Sequence, residues 1–207
     1  STAISPDGPR NIYNAVKTAT SKEAAGKGVL VVMNEEIHTA SEVTKTHSAN
    51  VYTFASPFWG PIGYVDEDGI FFRRMPLGLQ KIQPNELVEE VHLVKATAGQ
   101  DGLILNALVE KEAKGIIIEG LGRGNVPPGL LPGIKSAVKA KIPIVLTTRV
   151  FGGRVLDVYG YEGGAKQLKE LGVIMGGEIS GQKARIKLML ALGITNDHNA
   201  LTEYFCC

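Results

Sequence analysis

Gly115-Ile116-Ile117-Ile118-Glu119 runs into Gly120-Leu121-Gly122-Arg123-Gly124-Asn125 and then into Pro127-Pro128. A short, continuous aliphatic run bounded by glycines is the pattern of a β-strand buried on both faces, as in a parallel sheet covered by helices. The two prolines open a helix, because proline at the first helical position sacrifices only an N–H that has no partner there. Leu131, Ile134 and Val138 then form an apolar stripe at helical spacing.

The same alternation extends outward. Residues 91–97 read as a strand and 101–112 as a helix with Leu103, Leu105, Ala107 and Leu108 available for burial. Residues 143–148 are a third strand, 163–171 a short helix, 173–175 a fourth strand, and 182–192 a strongly amphipathic closing helix. This β-α-β-α-β order predicts a doubly wound parallel sheet in a domain of ordinary size.

Upstream, Asp7-Gly8-Pro9 begins a helix in which Ile12, Ala15, Val16 and Ala19 offer one face for burial, fading by Gly26. Gly28-Val29-Leu30-Val31-Val32-Met33 reads as another strand buried on both sides. Residues 34–76 are short strand-like stretches (42–46, 51–54, 62–65, 70–73), with a hairpin signal at Asp66-Glu67-Asp68-Gly69. The expected organisation is a first domain over 1–76, a linker over 77–90 rich in turn residues, and an α/β domain over 91–207.

Composition narrows the function. The 207 residues are 44% hydrophobic and 21% charged, and 22 Lys and Arg balance 21 Asp and Glu. That balance gives no electrostatic case for nucleic acid or an anionic membrane surface. The longest apolar runs are too short to span a bilayer as a helix. Cys206 and Cys207 are adjacent and make a poor structural cross-link; they read as a frayed tail.

In open parallel sheets ligands bind beyond the carboxyl ends of the strands. The loops at 98–100, 120–126 and 149–162 therefore offer Gln100, Arg123, Asn125, Arg149, Asp157 and Glu162. The Gly-rich loop has G-x-G-x-G spacing rather than G-x-G-x-x-G, and the next strand ends Leu146-Thr147-Thr148 with no acid to hold a ribose. No G-K-S/T follows, so no nucleotide cofactor is expected. His38, His47, His92 and His198 lack metal-ligand spacing and are read as surface or capping residues. No G-x-S-x-G elbow occurs. What remains is a Gly-Asn loop and a lysine, Lys45, in a Thr-Lys-Thr stretch, with no resident nucleophile.

Several segments together resemble the bacterial-type asparaginase/glutaminase family. They are Asp7-Gly8-Pro9 with Asn11 and Asn14, Gly28 to Asn34, Val43-Thr44-Lys45-Thr46, Gly60-Pro61-Ile62-Gly63-Tyr64, the Gly120 to Asn125 loop, and Gln182-Lys183-Ala184-Arg185. The resemblance implies part of an N-terminal α/β domain followed by a smaller, flavodoxin-like doubly wound domain. It implies hydrolysis of L-asparagine to L-aspartate and ammonia, with variable action on L-glutamine and no cofactor. The family chemistry is two-step: a threonine attacks the amide carbon, and a second threonine, an aspartate and a lysine handle protons.

Of these parts only the lysine maps here, onto Lys45. The family's T-G-G-T-I and D-G-T-D-T motifs are not in this sequence, so the 207 residues alone are expected to be inactive. The resemblance further implies a homo-oligomer, a dimer of dimers. In it a neighbouring C-terminal domain completes each site, with Asn125 and Glu162 meeting the substrate. Without the strands that normally cover them, helix 9–23 and strand 28–33 are expected to expose apolar faces. The alternatives are a non-catalytic small-ligand or interaction module on the same sheet, and an amidotransferase acting on charged tRNA, which the near-neutral charge disfavours.

Overall fold

Pro9 at the first turn opens helix α1 (Gly8–Ala19), in which Arg10, Ala15, Lys17 and Ala19 are the strong helix formers. It belongs to the first of two compact units, Ser1–Lys81, in a computed structural model that describes residues 6–206. The face α1 buries is not the one its apolar spacing predicts. Asn14 and Thr18 are buried, whereas Ile12, Tyr13 and Val16 are 58–68% exposed. Two bonds from neighbouring polar residues hold the helix in this orientation, although Asn14 Nδ2 and Thr18 Oγ1 are themselves buried without a partner among the described residues. Asn11 Oδ1 accepts from the backbone N–H of Asn34 at 2.9 Å, and Lys17 Nζ donates to the Asp66 carbonyl at 2.8 Å.

The apolar run beside α1 forms β1 (Leu30–Met33), which turns directly into β2 (Glu36–Thr39). Asn34 and Glu35, the two residues between them, both have positive φ, the geometry of a tight hairpin turn. This hairpin escapes sequence reading because Glu is an unusual occupant of such a turn; Arg10 holds Glu35 at 2.6 Å. β1 is therefore half-buried rather than buried on both sides, being an edge strand of an antiparallel sheet.

Next come β3 (Thr44–Lys45), β4 (Phe54–Ala55), β5 (Gly63–Val65) and β6 (Ile70–Phe72). The Asp66 to Gly69 turn does join a hairpin, β5 to β6. The four-stranded sheet runs β1-β2-β5-β6, and β3 with β4 forms a separate antiparallel pair. The buried apolar core here is small: Ile37, Ile62 and Val65, with Leu30, Val32, Ile70 and Phe72 packed around them.

The second unit, Ile82–Cys207, is the α/β domain that the isoleucine run predicts. Its elements are β7 (Val91–Lys95), α2 (Leu103–Glu110), β8 (Gly115–Gly120), α3 (Leu131–Lys139), β9 (Ile144–Thr148), α4 (Ala165–Glu170), β10 (Ile174–Met175), α5 (Gly181–Leu192) and α6 (His198–Phe205). All four strands are parallel, in the order β10-β9-β8-β7. Every residue of β8 is buried. Ile116 and Ile118 face a core shared with Leu105, Ile134 and Leu168 of α2, α3 and α4. Ile117, on the alternate face, packs with Ala184 and Leu188 of α5 and Leu201 and Phe205 of α6. Helices on both faces thus explain why the strand has no polar side.

Two details differ from expectation. α5 does not close the chain and is not cleanly amphipathic: Ala184, Leu188, Met189, Ala191 and Leu192 are buried, yet Ile186 is exposed. It packs against β7, β8 and β9 on one side and against its neighbour α6 on another, so residues around much of its circumference find cover. α6 itself follows from Asp197, whose carboxylate caps the helix by accepting from the Ala200 N–H at 2.9 Å. Cys206 ends that helix, exposed and unpaired; Cys207 lies outside the described residues. No helix among the described residues is long and apolar enough to cross a membrane.

Candidate active site

Because β8 and β9 are parallel neighbours, the loops that leave their carboxyl ends emerge side by side. Backbone and hydroxyl bonds lace them together. Arg149 N–H donates to the Gly120 carbonyl at 3.0 Å, Thr148 Oγ1 to the Gly122 carbonyl at 2.6 Å, and Leu156 N–H to the Arg123 carbonyl at 3.0 Å. The Gly-rich loop closes on itself through Leu121 and Asn125, each donating its N–H to the other's carbonyl, at 2.7 and 2.9 Å. It is a tight turn that presents Asn125, not a phosphate cradle leading into a long helix.

Between the loops lies an open cleft of about 590 Å³ whose walls include Arg123, Asn125, Arg154, Tyr159 and Tyr161. The two tyrosine rings lie 5.6 Å apart. Its charged lining residues are both arginines, so the cleft suits a small ligand carrying a carboxylate.

Asn125 is half-buried, and its Oδ1 sits 3.4 Å from the N–H of Ala165 at the start of α4. Val126 N–H donates to the Gly163 carbonyl at 2.8 Å. These two bonds fasten the Asn125 loop to the turn carrying Glu162, so the structure brings the two residues onto adjoining loops. Gly163 makes that approach possible. Its φ is +82°, and a Cβ there would lie 2.2 Å from the Val126 carbonyl oxygen. Glu162 itself is exposed.

The other polar residues of these loops are engaged in holding the fold. Gln100 Oε1 accepts from the Thr97 N–H at 2.9 Å, and Arg149 Nη1 donates to the Ala96 carbonyl at 3.2 Å. Asp157 pairs with Lys169 at 2.7 Å, and that hydrogen bond holds its carboxyl below the usual carboxylate range. Arg185 Nε donates to the Val91 carbonyl at 2.6 Å, clamping α5 to the start of β7. Arg154, Tyr159 and Tyr161 were not singled out from the sequence. The Gly152-Gly153-Arg154 triplet in a long loop was the available signal.

In the first unit, Lys45 is exposed on β3, opposite Phe54 of β4. Its ammonium stands 5.2 Å from the Phe54 ring centroid, within reach of a cation–π attraction. The hairpin is pinned beyond Lys45 by Thr46, whose N–H and Oγ1 both donate to the Thr53 carbonyl at 2.7 and 2.8 Å. His47 Nδ1 accepts from the N–H groups of Ala49 and Asn50, the capping role read from sequence. His38 does not follow that reading: it is fully buried.

Residues 1–77 match the family model described as "Asparaginase, N-terminal", and residues 90–205 match "Glutaminase/Asparaginase C-terminal domain". The chain belongs to the glutaminase/asparaginase family. An L-asparaginase of Bacillus licheniformis is 34% identical over 97% of this chain and 62% of its own length. A probable periplasmic L-asparaginase of Haemophilus influenzae is 35% identical over 99% of this chain and 59% of its own. A glutaminase-asparaginase of Pseudomonas fluorescens is 33% identical over 99% and 57%. The chain therefore spans about three fifths of the length of these family members.

Proposed function

We propose that the chain forms part of an amidohydrolase that releases ammonia from the side-chain amide of L-asparagine, with L-glutamine as the secondary substrate. The observation that carries this reading is the similarity to relatives named L-asparaginase across almost the whole chain. In this reading Lys45 moves protons for a threonine nucleophile supplied outside these 207 residues. A lysine on a pinned hairpin, its ammonium near an aromatic face and in no ion pair among the described residues, suits proton transfer. Asn125 and Glu162 hold the substrate, the amide through hydrogen bonds and the carboxylate by pairing with the substrate ammonium. The arginine-lined cleft beside Asn125 accounts for selecting an α-carboxylate.

Further polypeptide is also part of the proposal. Ile12, Tyr13, Val16 and Val29 lie 58–75% exposed in the first unit, an apolar surface that water does not favour. Covering it by chain carrying T-G-G-T-I and D-G-T-D-T would complete both the core and the catalytic set. Assembly as a dimer of dimers, with Asn125 and Glu162 reaching a neighbour's site, belongs to the same reading.

Ammonia release from L-asparagine tests it, using the 207-residue chain with and without an added N-terminal segment bearing those two motifs. Turnover is expected only in the complemented mixture and is abolished there by Lys45→Met. Turnover by the chain alone would place the attacking group elsewhere, and none after verified complementation would refute the assignment.

A further inference from the structure

The β3–β4 pair that carries Lys45 consists of two strands of two residues each, and an isolated two-stranded hairpin is marginal in water. Among the described residues no backbone ladder joins it to the four-stranded sheet. A side chain does. His38, on β2 between β1 and β5, has a side chain only 1% exposed, and its Nδ1 lies 3.0 Å from Ser56 Oγ. Ser56 follows β4 directly and is itself buried, its carbonyl accepting from the N–H groups of Gly60 and Trp59 at 2.8 and 3.2 Å.

The protons on the ring follow from its partners. Nε2 lies 3.1 Å from Glu36 Oε2, and an ionised carboxylate can only accept. Nε2 therefore carries the hydrogen, and Nδ1 accepts from the Ser56 hydroxyl. Tyr52 donates to the other Glu36 oxygen at 3.3 Å, and Arg74 pairs with Glu42 close by. Burial pushes the imidazole pKa below its usual value, although Glu36 pulls it up, which keeps the ring neutral as this pattern requires. A hydroxyl donating to an imidazole also resembles a nucleophile and its base. Here both side chains are sealed from solvent, so no substrate carbonyl reaches them.

We propose that His38 is a positioning residue for Lys45: through Ser56 it anchors β4 to the main sheet, and β4 fixes the backbone of Lys45. The inference rests on the reading of Lys45 as the proton-handling lysine. The path is short, from Ser56 through Ala55 to Phe54, which is in register with Lys45. A leucine would fill the same core position without a desolvation cost, so what the imidazole adds is the polar strut.

Hydrogen exchange on the full 207-residue chain reads the strut without needing turnover. The reporters are the amides of Thr46 and His47, bonded to Thr53, with the Ile62 amide, bonded to the Ile37 carbonyl in the main sheet, as the internal control. His38→Asn places an acceptor at the Nδ1 position, whereas His38→Gln reaches only the Nε2 position, and Ser56→Ala removes the hydroxyl. Exchange at Thr46 and His47 is expected to rise about tenfold in His38→Gln and Ser56→Ala, and to stay near wild type in His38→Asn. Ile62 should not change.

In the complemented enzyme the first two variants should lower kcat about tenfold at constant KM, with His38→Asn restoring it. Unchanged exchange at Thr46 and His47 would overturn the inference. So would equal loss at Ile62, which would make His38 a plain core residue. If exchange responds as expected but Lys45→Met retains turnover, the strut stands and the catalytic reading of Lys45 falls instead.

Discussion

Leu188→Ala separates the two units of the chain energetically. Leu188 is fully buried in α5, and its Cδ2 lies 2.8 Å from where a Cβ on Gly115 would stand, so its methyls rest directly on the backbone of β8. Truncating it leaves a cavity against a strand that cannot close in, because β8 is paired on both sides. The expected cost is about 3 kcal/mol, within the range for buried leucines. With a urea dependence of roughly 2 kcal/mol per molar for a domain of this size, the midpoint of the second unit should fall by about 1.5 M.

Two probes see the two units separately. Trp59 is the single tryptophan and lies in Ser1–Lys81, while five of the six α-helices among the described residues lie in Ile82–Cys207 and dominate the far-ultraviolet dichroism. In the unaltered chain Trp59 fluorescence should change at lower urea than the dichroism. Three buried apolar residues anchor the first core, against seventeen and eleven in the two cores of the second unit. Leu188→Ala should move the dichroism transition and leave the fluorescence transition in place. Coincident transitions that shift together would refute the reasoning, because they would show a single cooperative unit.

Gly163→Ala forces a Cβ onto the Val126 carbonyl at positive φ and should destabilise the second unit by about 2–3 kcal/mol, read as a lower dichroism midpoint. The same change should weaken L-aspartate binding in the complemented enzyme, since it parts the Asn125 loop from the Glu162 turn. The first unit should also lose stability as pH falls. The pKa of His38 is depressed in the fold by burial, so the unfolded chain binds that proton more readily. The loss therefore begins as pH drops through the ordinary imidazole range near 6.5 and continues toward the lower folded value. A fluorescence midpoint that falls between pH 7.5 and 5.5 in the native chain, and falls less in His38→Asn, checks it.

Much of the second unit was legible from the sequence. Strands buried on both faces must be continuously apolar, and Gly115 to Glu119 and, largely, the 143–148 segment carry that mark without help from their neighbours, whereas β7 at the sheet edge alternates, with His92 and Lys95 exposed. The loops at the carboxyl ends of such strands were nameable for the same reason, and Asn125 and Glu162 both lie on them. The sequence could not say which loop residues turn toward the cleft. Arg149 and Asp157 are as polar as Arg123 and Arg154, but long-range bonds to Ala96 and Lys169 occupy them.

The first unit depended far more on tertiary structure. Spacing marks Ile12, Val16 and Ala19 as a face, but whether a face is buried depends on what packs against it; here the side carrying Asn14 and Thr18 is the one covered. The β1–β2 turn places Glu35 at positive φ, a conformation without a local sequence signature in this chain. Identity as a family member was written in short motifs around Lys45 and Asn125. The burial of His38 and its bond to Ser56, eighteen residues away, were not, because a lone histidine looks alike on a surface and in a core until the strands on either side of it are in place.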